Sequence, residues 1–349
     1  MLESIYTLAA LHILSTVWFL LVFIPAKRIC WGWLWILQIV VTEWISIAVL
    51  VFALLAVYDF SFILYFIPLL YYLFARKSTV YFSGAIASDS RSDDTEVRSW
   101  FHKVGRFIWP FKFNPQAKTW SEHLKFETSH PQRICIHIHG GAWKHGDASQ
   151  LTSIAGLLNE KNIEVISINY KKYPELTLSQ VILEVENTFK SILDNYGDKK
   201  IILYGRSAGG HLALHLAKKW PQQVQKVIAL YPVTDLENLY LESDNKDVLK
   251  THTWMQKIVG KDLKDGLALY RELSPIHLLG KDMPPVLLVH GENDPVVNVK
   301  QSQRYFEELK KHNLECTFLR FKYGTHGFDA VWNGPSMSRF KSVLIQFLN

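Results

Sequence analysis

Between residue 121 and the C-terminus, short runs of Ile, Val and Leu alternate with amphipathic stretches, and this alternation constrains the fold more than any other feature. The strand candidates are 133–139, 164–169, 200–204, 226–231, 286–290 and 316–321, each bounded by Gly, Pro or Asn. Between them, apolar residues recur with a 3.6-residue period over 176–196, 208–220, 300–311 and 336–347. Strand–helix alternation of this kind predicts a mostly parallel sheet covered by helices on both faces. The expectation is an α/β domain of about 230 residues over 121–349. It is interrupted by an irregular, cap-like insertion at 236–284, the segment expected to set specificity.

The chain of 349 residues has room for a second region, and its composition changes sharply along its length. Residues 1–75 hold almost all of the uninterrupted apolar sequence. The formal net charge of +6 is modest, and Lys and Arg are dispersed through the α/β part without a basic stripe interleaved with aromatics. Nucleic-acid binding therefore has little support. Cys30, Cys135 and Cys316 lie far apart, without metal-ligand spacing. Cys135 and Cys316 fall in predicted strands, so buried thiols are expected and no disulfide framework.

The N-terminal 77 residues read as a membrane region. Residues 5–24 contain no formal charge beyond a protonatable His12, and about 20 apolar residues suffice for a span. Glu3 in place of a basic n-region, and no small-residue cleavage site, argue against a signal peptide. The run 31–58 contains Gln38 and Glu43. One mid-helix acid costs roughly 2.5–3.5 kcal/mol, and many residues each returning about 0.3–0.6 outweigh it. The run 60–75 is shorter and contains Pro68, so the count is two or three spans. Lys27 and Arg28 follow the first run and Arg76 and Lys77 the third. Placing both pairs on the cytoplasmic side favours three, an external N-terminus and a cytoplasmic α/β domain. Residues 78–120 read as a connector. Its aromatic and basic part suits either the headgroup zone or packing against the domain.

The segment "LYGRSAGGHLAL" carries Gly205-Arg206-Ser207-Ala208-Gly209, a G-x-S-x-G sequence placed where a strand meets a helix. Such a sharp turn exposes the serine hydroxyl in a strained backbone, with the helix N-terminus behind it. A hydroxyl needs a base oriented by an acid. Asp294 in "VHGENDPVV" and His326 in "YGTHGFD" both follow predicted strands, and the order Ser207, Asp294, His326 fits this architecture. His211, His215, His290 and His312 are expected to be packed or solvated, and Glu292 and Asp329 are rival acids of lower rank. His139-Gly140-Gly141-Ala142-Trp143 directly follows a strand. Its glycines let main-chain N–H groups face a cavity, so Gly141, Ala142 and Ala208 are the expected oxyanion donors, with His139 bracing the loop.

The motifs "HGGAW", "NYKKYPE", "GRSAGG", "YPVTD", "HGENDPVV" and "GTHGF" occur in the order found in α/β-hydrolase esterases of the hormone-sensitive-lipase-like kind. The chain resembles that family over about residues 130–349, and looks most like its carboxylesterases, kynurenine formamidases and isoprenylcysteine methylesterases. The resemblance implies an α/β-hydrolase fold and hydrolysis of an ester or amide through an acyl-serine, with no metal or organic cofactor. It carries the catalytic roles to Ser207, Asp294 and His326 and places Gly140, Gly141, Ala142 and Ala208 around the oxyanion. Ala142 departs from the third glycine of lipase-like members, which points to a different acyl pocket. The expected partners are a carboxylic ester, lipid-borne if the membrane region serves the chemistry, and the bilayer itself. An amidase or formamidase acting on a small metabolite is the alternative. An inactive, membrane-bound interaction module is a third reading, opposed by the intact set of residues.

Overall fold

The computed structural model describes residues 80–84, 118–120 and 123–349, apart from 130, 152–153, 198, 244–249 and 331–334. The three predicted membrane runs, Cys30 and most of the predicted connector lie outside the described residues. Among those described, no helix is long and apolar enough to cross a membrane.

The strands are β1 (Val80–Gly84), β2 (Lys118–Trp120), β3 (His123–Phe126), β4 (Arg133–Ile138), β5 (Ile163–Ile168), β6 (Lys200–Arg206), β7 (Val224–Leu230), β8 (Val286–Gly291) and β9 (Cys316–Phe321). They form one sheet in the order β1-β9-β8-β7-β6-β4-β5-β3-β2. The six strands predicted from sequence, β4 to β9, are its parallel centre. Three antiparallel strands extend the edges: β1 against β9, β3 against β5, and β2 against β3. Two stretches of the expected connector, 80–84 and 118–120, thus pair into the sheet.

The helices are α1 (Ile154–Asn159), α2 (Leu178–Tyr196), α3 (Ala208–Lys219), α4 (Leu236–Glu242), α5 (Thr251–Val259), α6 (Leu263–Glu272), α7 (Lys300–Lys311) and α8 (Pro335–Leu348). Central strands buried on both faces need no polar alternation. Ile134, Ile136, Ile201 and Leu203 pack with residues of α2 and α3 on one face. Their neighbours Cys135, Ile202 and Tyr204 pack with α1 and α8 on the other. Burying each such aliphatic side chain contributes about 1.5–3 kcal/mol. In α2, Leu178, Val181, Ile182, Val185, Phe189 and Ile192 are buried at helical spacing. Gln180 reaches back to accept from the Thr177 N–H at 2.9 Å, closing the N-terminal turn of α2. Cys135 and Cys316 are buried free thiols, as their strand positions predict.

The insertion has more order than its sequence pattern suggests. α4, α5 and α6 occupy it, followed by a 3-10 turn at Pro275–His277. Its start is tied to α7 by Gln301, which accepts from the amides of Thr234 and Asp235 and donates to the Asp235 carbonyl. Asp235 in turn caps α4 by accepting from the Asn238 amide at 3.0 Å.

Candidate active site

β6 ends at Arg206 and α3 begins at Ala208, so Ser207 makes the turn alone, at φ 52° and ψ −120°. A positive φ at a non-glycine residue costs on the order of 1–3 kcal/mol and persists only where its surroundings enforce it. Two main-chain bonds do so here: the Ser207 amide donates to the Leu230 carbonyl at 2.9 Å, and its carbonyl accepts from the His211 amide at 3.2 Å. The flanking glycines are there because the backbones touch. A Cβ at Gly209 would lie 2.0 Å from the Ile138 carbonyl oxygen, and one at Gly205 would lie 2.3 Å from the Gly209 carbonyl oxygen. A side chain at Gly209 would push the elbow away from β4, and one at Gly205 would push the start of α3 away from β6.

The loop after β4 closes on the elbow. A Cβ built at Gly140 would sit 3.3 Å from the Ser207 Cβ. Gly141 lies at φ 118°, and Ala142 and Trp143 hold left-handed φ values of 52° and 56°. The turn is fastened by the Lys144 and His145 amides, which donate to the Gly141 carbonyl at 3.0 and 2.8 Å. Among the described residues, no hydrogen bond engages the amides of Gly141, Ala142 or Ala208. His139 braces this loop, as its position predicts: Nδ1–H donates to the Gly140 carbonyl at 2.7 Å, and the ring stacks on Tyr170 at 4.3 Å. The Tyr170 hydroxyl donates to the His139 carbonyl at 3.0 Å. Burial lowers the His139 pKa to about 4, so the ring is neutral at physiological pH.

Asp294 lies just beyond β8 and His326 just beyond β9, and the two meet. His326 Nδ1 is 2.7 Å from Asp294 Oδ2. The other carboxylate oxygen, Oδ1, accepts from the amides of Val296 and Val297, both at 2.8 Å. Burial alone would raise the pKa of Asp294. The adjoining His326 and His290 outweigh that and hold it well below the usual carboxylate range. Asp294 is therefore an anion with a fixed orientation, suited to hold one tautomer of the imidazole. Tyr231, at the end of the intervening β7, lies against the His326 ring with centroids 4.4 Å apart.

The competing groups have other partners. His211 and His215 both donate from Nε2 to the Leu273 carbonyl, at 2.8 and 2.9 Å, inside the core. His312 is exposed at the end of α7. Glu292 sits 3.8 Å from the Arg320 guanidinium. Asp329 is fully buried beside Arg206 and Tyr231. His290, expected to be packed or solvated, is packed: it is fully buried, and its Nε2 donates to the Val297 carbonyl at 2.9 Å and lies 3.3 Å from Asp294 Oδ2. Its place in the "HGEND" motif was the available signal. No role was expected for the side chains of Arg206 and Tyr231, and Asp329 was weighed only as a rival acid, although each stands inside or beside a motif.

The insertion borders the oxyanion loop. Trp254 of α5 packs edge-on to Tyr173 at 5.1 Å and lies under the Lys144 ammonium at 5.6 Å. The Tyr173 amide donates to the Trp143 carbonyl at 3.0 Å. Among the described residues, no three His, Cys, Asp or Glu side chains are grouped to hold a metal ion.

A mostly parallel sheet with antiparallel strands at its edges, helices on both faces and a serine elbow after a central strand together define an α/β-hydrolase. The chain belongs to the BD-FAE family, which it matches over residues 123–309, more than half its length. The match includes Gly140, Ser207 and Asp294 and stops short of His326. It is 26% identical over 240 residues to the Mycobacterium tuberculosis esterase LipC, covering 63% of this chain and 58% of that protein. It is 25% identical over 217 residues to the Drosophila melanogaster kynurenine formamidase, covering 59% and 69%. The chain spans only about half the length of the mycobacterial relatives it matches. Among solved structures, the Pyrobaculum calidifontis esterase superposes with a TM-score of 0.57 at 20% identity, covering 73% of this chain and 92% of that one. At that identity the likeness concerns the fold.

Proposed function

We propose that the chain is a membrane-anchored serine hydrolase that cleaves a carboxylic ester through Ser207, His326 and Asp294. The observation that carries this reading is the 2.7 Å contact between His326 and the buried Asp294, formed at the sheet edge where the Ser207 elbow also lies. The Ser207 hydroxyl attacks the ester carbonyl while His326 Nε2 takes its proton. The oxyanion is received by the amides of Gly141, Ala142 and Ala208, each worth roughly 3–4 kcal/mol of transition-state stabilisation. His326 then gives the proton to the leaving alcohol, leaving an acyl-serine. Water, activated by the same imidazole, releases the acid and restores the hydroxyl. Asp294 stays ionised throughout and stabilises the imidazolium.

The N-terminal apolar runs extend this reading to a cytoplasmic catalytic domain held at a bilayer by three spans, acting on a lipid-borne ester. Tethering raises the local concentration of such a substrate without new contacts. Amide cleavage is the second reading, favoured by the likeness to a kynurenine formamidase. A fluorophosphonate probe should label wild type and leave Ser207→Ala unlabelled. A panel of short acyl esters and N-formyl aromatic amines then separates the two activities. For the membrane question, turnover of a bilayer-embedded ester is compared between the full chain and one beginning at Ser78, which keeps the nine described strands. Equal rates would remove the case for a lipid substrate.

A further inference from the structure

The residue just before the nucleophile is joined to the turn just after the histidine. From Arg206, Nη1 donates to the Gln150 carbonyl at 2.7 Å and Nε to the Tyr231 hydroxyl at 3.0 Å. Nε is also 2.8 Å from Asp329 Oδ2, a charge contact whose N–H is aimed at the tyrosine. Nη2 donates to Asp329 Oδ1 at 3.4 Å, and the Tyr231 hydroxyl donates to the same oxygen. Asp329 belongs to the 3-10 turn Phe328–Ala330 that follows His326. The Tyr231 ring, locked at its hydroxyl, packs between His326 at 4.4 Å and Phe328 at 5.7 Å.

We infer that Arg206, Tyr231 and Asp329 form a positioning clamp that sets where the His326 imidazole stands relative to Ser207. The inference rests on the triad proposed above. A buried ion pair is a poor device for stability alone, since desolvation offsets most of its attraction. It excels at defining geometry, because a fork of directed donors admits one arrangement where apolar groups would slide. Tyr231 itself sits at φ 38°, a strained backbone that its hydroxyl bonds and ring contacts must hold. A shift of about 1 Å between nucleophile and base can cost on the order of 100-fold in rate, so a rigid link between their two segments has a catalytic consequence. None of the three touches substrate; each acts through the elbow or the imidazole.

The test uses the full chain and two variants besides wild type and Ser207→Ala. Tyr231→Phe keeps the ring and removes only the hydroxyl. The double variant Arg206→Met/Asp329→Leu replaces the half-buried guanidinium and the buried carboxylate with apolar groups that can pack. The clamp predicts at least a 10-fold loss of kcat in both, with KM for a short ester within about twofold. The rate of fluorophosphonate labelling should fall in parallel. The double variant should melt at or near the wild-type temperature, separating position from stability. Wild-type kcat in Tyr231→Phe, or in the folded double variant, overturns the clamp. Labelling retained by Ser207→Ala instead overturns the underlying triad, so the two failures are told apart.

Discussion

Asp294 and His326 stand 32 residues apart in the chain, yet His326 Nδ1 reaches Asp294 Oδ2 at 2.7 Å. The pairing of β8 with β9, in register from Val286 with Cys316 to Gly291 with Phe321, brings the two loops to the same edge. The carboxylate is fixed from behind by two main-chain amides, so it orients the imidazole without moving to it.

Replacing Ser207 with Ala should cut ester turnover by at least about 10⁴-fold. The melting temperature should stay within about 3 °C, since among the described residues no hydrogen bond from the hydroxyl holds the elbow. Steady-state hydrolysis and calorimetry on the same preparation check both parts. Turnover within tenfold of wild type would exclude Ser207 as the nucleophile.

Asp294→Asn keeps the volume but removes the charge that stabilises the imidazolium. An amide nitrogen facing His326 also selects the wrong tautomer. A fall in kcat of about 10³- to 10⁴-fold is expected, with little change in KM. Comparable losses should follow in both acylation and deacylation when single-turnover rates are measured.

Stability should fall on mild acidification. Burial lowers the pKa of His139 and of His215 to about 4, from an ordinary value of 6.5. Between those limits the unfolded chain binds protons that the folded chain refuses. The stabilisation is therefore complete above pH 6.5 and declines as pH drops towards 4, by on the order of 3 kcal/mol per group. Melting temperatures recorded from pH 7.5 to 4.5 should drop steadily; a flat curve across that window would contradict the buried, neutral state of these rings.

Gly209→Ala should be among the most damaging single-methyl additions, because its Cβ would meet the Ile138 carbonyl oxygen at 2.0 Å. That oxygen and the His139 carbonyl oxygen at 2.5 Å are both backbone, so α3 must move off β4. A destabilisation of at least about 3 kcal/mol is expected. Gly197→Ala serves as a control for crowding, since a Cβ there would meet nothing within 4 Å. Its cost should come from its φ of 60° alone. Denaturant midpoints would rank the two.

The central strands were readable because each is a continuous apolar run, as burial on both faces requires. β2 and β3 were not, since "KTW" and "HLKF" are short and partly polar, and His123, Leu124 and Lys125 are only half-buried at the sheet's edge. α4 to α6 lack a long period from which a helix could be inferred. Their order comes from packing on one another and from Gln301, contributed by a distant helix.

Ser207 and its glycines were legible for a local reason: a strand, a turn too tight for side chains and a helix follow one another within a dozen residues. Asp294 and His326 were legible as loop residues after strands, and their meeting depended on strand order. The partners of Arg206, Tyr231 and Asp329 were decided only by the tertiary structure. Arg206 and Asp329 lie 123 residues apart, and nothing in either neighbourhood names the other. Local steric rules act over a few residues and leave their mark on the sequence, whereas charge pairing in a closed core depends on which strands become neighbours.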